Sequence, residues 1–100
     1  MRERVVERRL VLRATQRGWL ALKFTSPGRR GFPDRLLLGP HGEVCFVECK
    51  APGGRLTPLQ RHTHEILASY GRPVTVLDSV AAVDAWCGRL QPSSVSTSRD

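Results

Sequence analysis

Two carboxylates and a lysine stand out in this 100-residue chain: Asp34, Glu48 and Lys50. Glu48 and Lys50 close the run VCFVECK (44–50), which is otherwise apolar or small, and charged residues in such a run need a reason. How Asp34 relates to Glu48 depends on a hairpin. DRLLLG (34–39) and EVCFVECK (43–50) are two β-like runs on either side of Pro40-His41-Gly42. With those three residues as the loop, Gly39 faces Glu43, Leu38 faces Val44, Leu36 faces Phe46 and Asp34 faces Glu48. Strand alternation then puts Asp34, Leu36, Leu38, Val44, Phe46 and Glu48 on one face, with Lys50 one step beyond Glu48. A two-residue turn would shift the register by one and send Asp34 to the opposite face.

Directly opposed carboxylates lie roughly 5 Å apart at Cβ. Buried without a partner, they would repel until one took up a proton. A hard divalent cation removes the conflict, because Mg²⁺ takes one or two carboxylates and keeps several waters. A lysine beside such an ion can position or deprotonate an attacking water and offset charge on a phosphoryl transition state. The competing reading of Glu48 and Lys50 is a plain surface ion pair, which an E-x-K in a strand often is. The register-matched Asp34 and the apolar setting favour chemistry.

The elements that must hold these residues can be read around them. Residues 3–17 form a helix stopped by Gly18, though Val5, Val6, Leu10, Val11 and Leu12 spread around its axis, leaving apolar surface for a second subunit. WLALKF (19–24) is a short strand, and TSPGRRGFP (25–33) a loop. After APGGRL (51–56), Thr57 caps a helix with Pro58 at its first position; it runs to Tyr70 and stops at Gly71. Leu59, Thr63, Ile66, Leu67 and Tyr70 share one stripe of it and are expected in the core. PVTVL (73–77) is a strand, and Ser79 caps a last helix, 80–90, burying Val80, Val83, Cys87 and Leu90. The order α–β–β–β–α–β–α gives an α/β fold, a mixed sheet flanked by helices, with strand 73–77 parallel to 43–50. Residues 91–100 are a polar tail expected to be disordered.

The charge balance narrows the partners. Sixteen basic residues against nine acidic ones give a net charge of +7, the footprint of a nucleic-acid binder. The basic residues cluster at 2–17 and 29–35. All are Arg except Lys23 and Lys50, and lysine, unlike arginine, can lose its proton when perturbed. Arg29, Arg30, Arg35 and Lys23 are placed to meet a DNA backbone, contacts that position a duplex without reading its sequence. Three cysteines, an odd number, argue against a disulfide framework, and Cys45, Cys49 and Cys87 read as small buried side chains. Trp19 and Trp86 read as core or interface, and His41, His62 and His64, lacking a metal or nucleophile pattern, as surface residues. No apolar run is long enough to span a bilayer and MRERVVERRL is no signal peptide, so a cytoplasmic protein without a membrane partner is expected.

GFPD (31–34), VECK (47–50), the APGG loop (51–54) and the helical Gln60 after TP together resemble the PD-(D/E)XK nuclease superfamily, and within it the VRR-NUC (virus-type replication-repair nuclease) family. The resemblance covers residues 1–90 and implies a restriction-endonuclease-like fold and an endodeoxyribonuclease dependent on Mg²⁺ or Mn²⁺. Carried over by position, Asp34, Glu48 and the backbone carbonyl of Cys49 would ligate the metal, and Lys50 would be the catalytic lysine. Gln60 would sit beside Lys50 and help place it or the scissile phosphate. The resemblance also implies a Glu from the first helix. Glu3 and Glu7 are candidates, and Glu7 is preferred as a metal ligand because its distance from Gly18 resembles that in archaeal junction resolvases. Stand-alone members are small, phage or prophage associated, and resemble dimeric Holliday-junction resolvases, so a homodimer acting on branched DNA is the implied assembly. The alternatives are a nuclease for flaps or nicked DNA, and a non-catalytic nucleic-acid-binding module, which would be expected to have lost Asp34, Glu48 or Lys50.

Overall fold

The computed structural model describes residues 2–93, and its elements follow the expected order: α1 (Glu3–Gln16), β1 (Leu20–Lys23), β2 (Arg35–Leu38), β3 (Val44–Cys49), α2 (Pro58–Ser69), β4 (Val74–Leu77) and α3 (Val80–Cys87). The strands form one sheet in the order β1-β2-β3-β4. The first three are antiparallel and β3 pairs with β4 in parallel, across the connection made by α2.

The β2–β3 register is the one that a three-residue turn requires. Leu38 pairs with Val44, Leu36 with Phe46 and Arg35 with Val47. Gly39 N donates to Glu43 O at 2.8 Å and closes the ladder. Gly42 takes a φ of 90°, the left-handed conformation that ends such a turn and that glycine adopts without strain.

One face of the sheet makes the core. Leu37, Cys45, Val47 and Cys49 lie against α1 and α3. From α1, Val6, Leu10 and Ala14 supply a stripe at spacing four, all 0% exposed; from α3 come Val83 and Cys87, with Leu90 just beyond. The stripe is narrower than the sequence suggested, and Val5 and Leu12 remain exposed. Arg9 locks the two helices together through paired hydrogen bonds to Asp84, Nε to Oδ1 at 2.8 Å and Nη2 to Oδ2 at 2.9 Å. Ser79 caps α3 by accepting from Ala82 N at 2.9 Å. All three cysteines are free thiols, Cys49 and Cys87 fully buried.

The other face is covered by α2 and by the ring cluster of Phe24, Phe32 and Phe46, with centroids 5.6 to 6.4 Å apart. Here the expected α2 stripe is corrected. Thr63 is buried and Ile66 and Leu67 are half-buried, but Leu59 and Tyr70 are exposed, Tyr70 by 83%. Only the middle of the stripe, from Thr63 to Leu67, finds cover, and both ends of it stay in solvent.

The first three residues of the expected polar tail, 91–93, lie within the described residues. Trp19 Nε1 donates to Gln91 O at 2.7 Å, and Ser93 N donates to Arg17 O at 3.0 Å, so residues 91–93 are fastened to the start of β1. Residues 94–100 lie outside the described residues. Among the described residues no helix is long and apolar enough to cross a membrane.

Candidate active site

Alternation divides β3 between two tasks. Cys45, Val47 and Cys49 go to the core, while Phe46 and Glu48 point to the α2 side. Asp34 immediately precedes β2, so the ladder carried one step past Arg35–Val47 brings it opposite Glu48. Its backbone is pinned there, since Phe24 N donates to Asp34 O at 2.8 Å. Lys50 continues the strand, its N–H donating to Leu77 O at 2.9 Å. The chain then turns sharply: Gly54 N donates to Ala51 O at 2.8 Å, and a Cβ at Gly54 would stand 2.9 Å from that oxygen and 3.4 Å from Lys50 Cβ. The APGG loop thus needs glycine to close against the lysine.

The electrostatics show that these groups are neighbours. Glu48 is 2% exposed, and burial, then the charge of Asp34, push its carboxyl up to about 7, with Lys50 pulling the other way. Glu3 and Glu7 add weaker repulsion. A carboxyl under these influences is primed to exchange a proton for a cation.

The structure adds a residue that the sequence reading put on the surface. His64 is buried on α2, with Nε2 3.4 Å from Glu48 Oε1. Neither atom has a hydrogen-bond partner, although both are fully enclosed. Burial, then the charge of Lys50, lowers the His64 pKa. His64 had a legible signal: it stands four residues after Gln60, so a helix that turns Gln60 toward the site carries His64 there as well.

Other expected site residues are distributed differently. Gln60 completes a capping box, its Oε1 accepting from Thr57 N at 2.9 Å while Thr57 Oγ1 accepts from Gln60 N at 3.0 Å. Its carboxamide oxygen is therefore held at the helix start, and the amide nitrogen is the donor that the side chain can still offer. Glu7 acts on Glu48 through its charge, but its own carboxylate is engaged by two cations. Its Oε2 accepts from Lys23 Nζ at 2.7 Å and Arg35 Nε at 2.8 Å, on the α1 side of the sheet. Burial alone would raise the Glu7 carboxyl, but the hydrogen bonds and charges of Lys23 and Arg35 hold it below the ordinary value. Arg35, with its side chain 17% exposed, is thereby committed to Glu7 and turned away from Asp34; Lys23 keeps an exposed side chain. Together they line a cavity of about 530 Å³ with Arg4, Arg8, Val11 and Leu12.

Arg29 and Arg30 are exposed, as a backbone-contacting pair must be. Their loop is fixed to α2: Thr63 Oγ1 donates to Arg30 O at 3.0 Å, and Gly31, at a φ of 82°, sits where a Cβ would meet Leu59 O at 2.8 Å. The loop that carries the two arginines and leads to Asp34 is thus anchored to α2.

Asp34 and Glu48 suit a divalent cation. The Glu48 carboxyl is nearly solvent-free beside Asp34, and an ion would relieve the repulsion between the two acids. Among the described residues no three His, Cys, Asp or Glu side chains form a metal-holding group. Two carboxylates are the oxygen donors that a hard divalent ion takes while keeping several waters. Cys49 conforms to this: burial, then the surrounding carboxylates, push its thiol up to about 12, so it stays protonated and offers no thiolate.

Comparison with known proteins gives a consistent result. The family model described as the VRR-NUC domain matches residues 7–81. A protein of Acyrthosiphon pisum secondary endosymbiont phage 1, named "Putative nuclease p44", is 51% identical over 79 residues, which make up 79% of this chain and 85% of that one. A solved structure named as a VRR_NUC domain is similar with a TM-score of 0.80 and 32% identity, over 87% of this chain and 95% of the other.

Proposed function

Because the chain belongs to the VRR-NUC family of nucleases, we propose that it is a metal-dependent endonuclease hydrolysing phosphodiester bonds in DNA. Branched DNA, such as a four-way (Holliday) junction, is the proposed substrate, cut by a homodimer in a bacterial or phage setting in the cytoplasm. The observation that carries the catalytic reading is the nearly solvent-free Glu48 beside Asp34, with Lys50 two residues on.

Asp34 and Glu48 would hold Mg²⁺ or Mn²⁺, with the Cys49 backbone carbonyl as a further ligand. When bound, the ion supplies Lewis-acid activation and neutralises charge at the phosphate. Lys50 positions the attacking water and offsets the negative charge that builds on the phosphoryl oxygens. Arg29 and Arg30, on their anchored loop, grip the flanking backbone, and Lys23 adds a more distant contact. Gln60 steadies the helix start beside Lys50 and offers its amide nitrogen. The first-helix acid is better assigned to Glu3 than to Glu7, whose carboxylate Lys23 and Arg35 already hold.

The test is cleavage of a labelled four-way junction and its matching linear duplex with Mg²⁺, Mn²⁺ or EDTA. Paired, metal-dependent cuts confined to the junction are expected. Cutting of both substrates would overturn the junction preference. No cutting of either would favour a binding module that kept the nuclease fold.

A further inference from the structure

The pairing of His64 with Glu48 is unexplained by the groups already assigned. A helix packing on a sheet needs an apolar residue at such a position, and a buried imidazole with an unpartnered nitrogen is a poor substitute. Thr63 beside it already fastens the arginine loop, so His64 is not needed for that contact. Its Nε2 is enclosed and faces the carboxylate, so it cannot take a proton from a solvent-borne water. The partner within reach is Glu48 Oε1, at 3.4 Å, a few tenths of an ångström beyond a good N–H···O contact.

We propose that His64 is a positioning residue: protonated on Nε2, it hydrogen-bonds Glu48 Oε1, fixes the carboxylate rotamer and leaves Oε2 to the divalent cation. This rests on the reading of Glu48 as a cation ligand. Partners behind a metal ligand commonly fix its orientation, and their loss costs roughly ten- to a hundredfold in metal affinity or activity. Here the partner arrives from α2, so the helix that carries the capping box also sets the angle of the metal carboxylate.

The experiment measures Mn²⁺ binding by calorimetry, and junction cleavage, for the full-length wild type, His64→Met and His64→Gln. Methionine fills the space without a donor; glutamine keeps one. His64→Met should bind Mn²⁺ about ten- to a hundredfold more weakly, with kcat falling in parallel and KM for DNA unchanged. His64→Gln should recover most of the loss. The metal-free melting temperature of His64→Met should be no lower than that of wild type, which separates positioning from a structural role; if this variant does not fold, His64→Ala takes its place. Wild-type Mn²⁺ affinity in folded His64→Met would overturn the proposal. So would a directly coordinated histidine nitrogen in the pulsed EPR spectrum of the wild-type Mn²⁺ complex, because His64 would then be a ligand. A wild type that binds no Mn²⁺, or whose affinity survives Glu48→Gln, would overturn the metal-site reading itself and this proposal with it.

Discussion

The two faces of the central sheet are made from the same strands and obey different rules. On the α1–α3 side, Leu37, Val47 and Cys49 meet Val6, Leu10, Ala14, Val83 and Cys87, and no polar side-chain atom is stranded among them. On the α2 side, Glu48 and His64 are enclosed with unpartnered atoms, and much of the helix stripe overhangs into solvent. Close packing stabilises the first face, while the second holds a carboxylate in the wrong protonation range until something binds it. A strand of six residues can serve both because its side chains alternate. Stability here is supplied from one side so that chemistry can be strained on the other.

Four measurements bear on that division. Lys50→Ala should reduce kcat by on the order of 10³-fold or more while leaving DNA binding and melting temperature nearly unchanged. Surviving cleavage would remove Lys50 from the chemistry. Leu37→Ala, on the opposite face, should lower unfolding free energy by about 2–5 kcal/mol and leave turnover per folded molecule intact. If denaturation curves do not move while kcat collapses, the division between the faces is wrong.

The third prediction concerns pH. Burial, then Asp34, raises the folded-state pKa of Glu48 from an ordinary 4.5 to about 7. Between those values the folded state binds more protons than the unfolded one. The Glu48 contribution therefore falls as pH rises, reaching a cost of about 3 kcal/mol above pH 7 in metal-free protein. His64, lowered by burial and by Lys50, contributes in the opposite direction, since stability rises as pH climbs toward its ordinary value of 6.5. Glu48→Gln removes only the first contribution, so its stability relative to wild type should increase from about pH 5 to about pH 7. Excess Mg²⁺ should stabilise wild type more at alkaline than at acid pH, and not the variant. Chemical denaturation across that range decides it; parallel curves would disprove a destabilised Glu48.

The smallest effect belongs to the surface. Replacing Arg29 or Arg30 by Ala should weaken DNA binding similarly for all sequences and reduce the salt-dependence slope by about 0.9 for each phosphate no longer neutralised. A change in cut-site preference instead would mean that the loop reads bases.

The sequence made the hairpin legible because glycine and proline at 39–42 restrict the turn, and the turn sets every pair up to Asp34 and Glu48. The helix caps at Thr57 and Ser79 were equally local and equally readable. His64 was missed because helical periodicity ranks faces by apolar content, so a polar residue beside the stripe is assigned to solvent. The same bias put Leu59 and Tyr70 in the core, although periodicity does not say how far the covering sheet extends. The engagement of Glu7 by Lys23 and Arg35 joins three distant parts of the chain, and spacing carries no trace of such a meeting.

The fastening of Gln91 and Ser93 beside Trp19 has a consequence for protein fusion. Trp19 abuts Gly39 at the turn end of the hairpin, whereas Asp34 and Glu48 lie at its open end. Ser93 therefore lies at the pole opposite the carboxylates. A module grafted at Ser93 would be attached away from Asp34 and Glu48, at the end of the hairpin that carries none of the proposed chemistry.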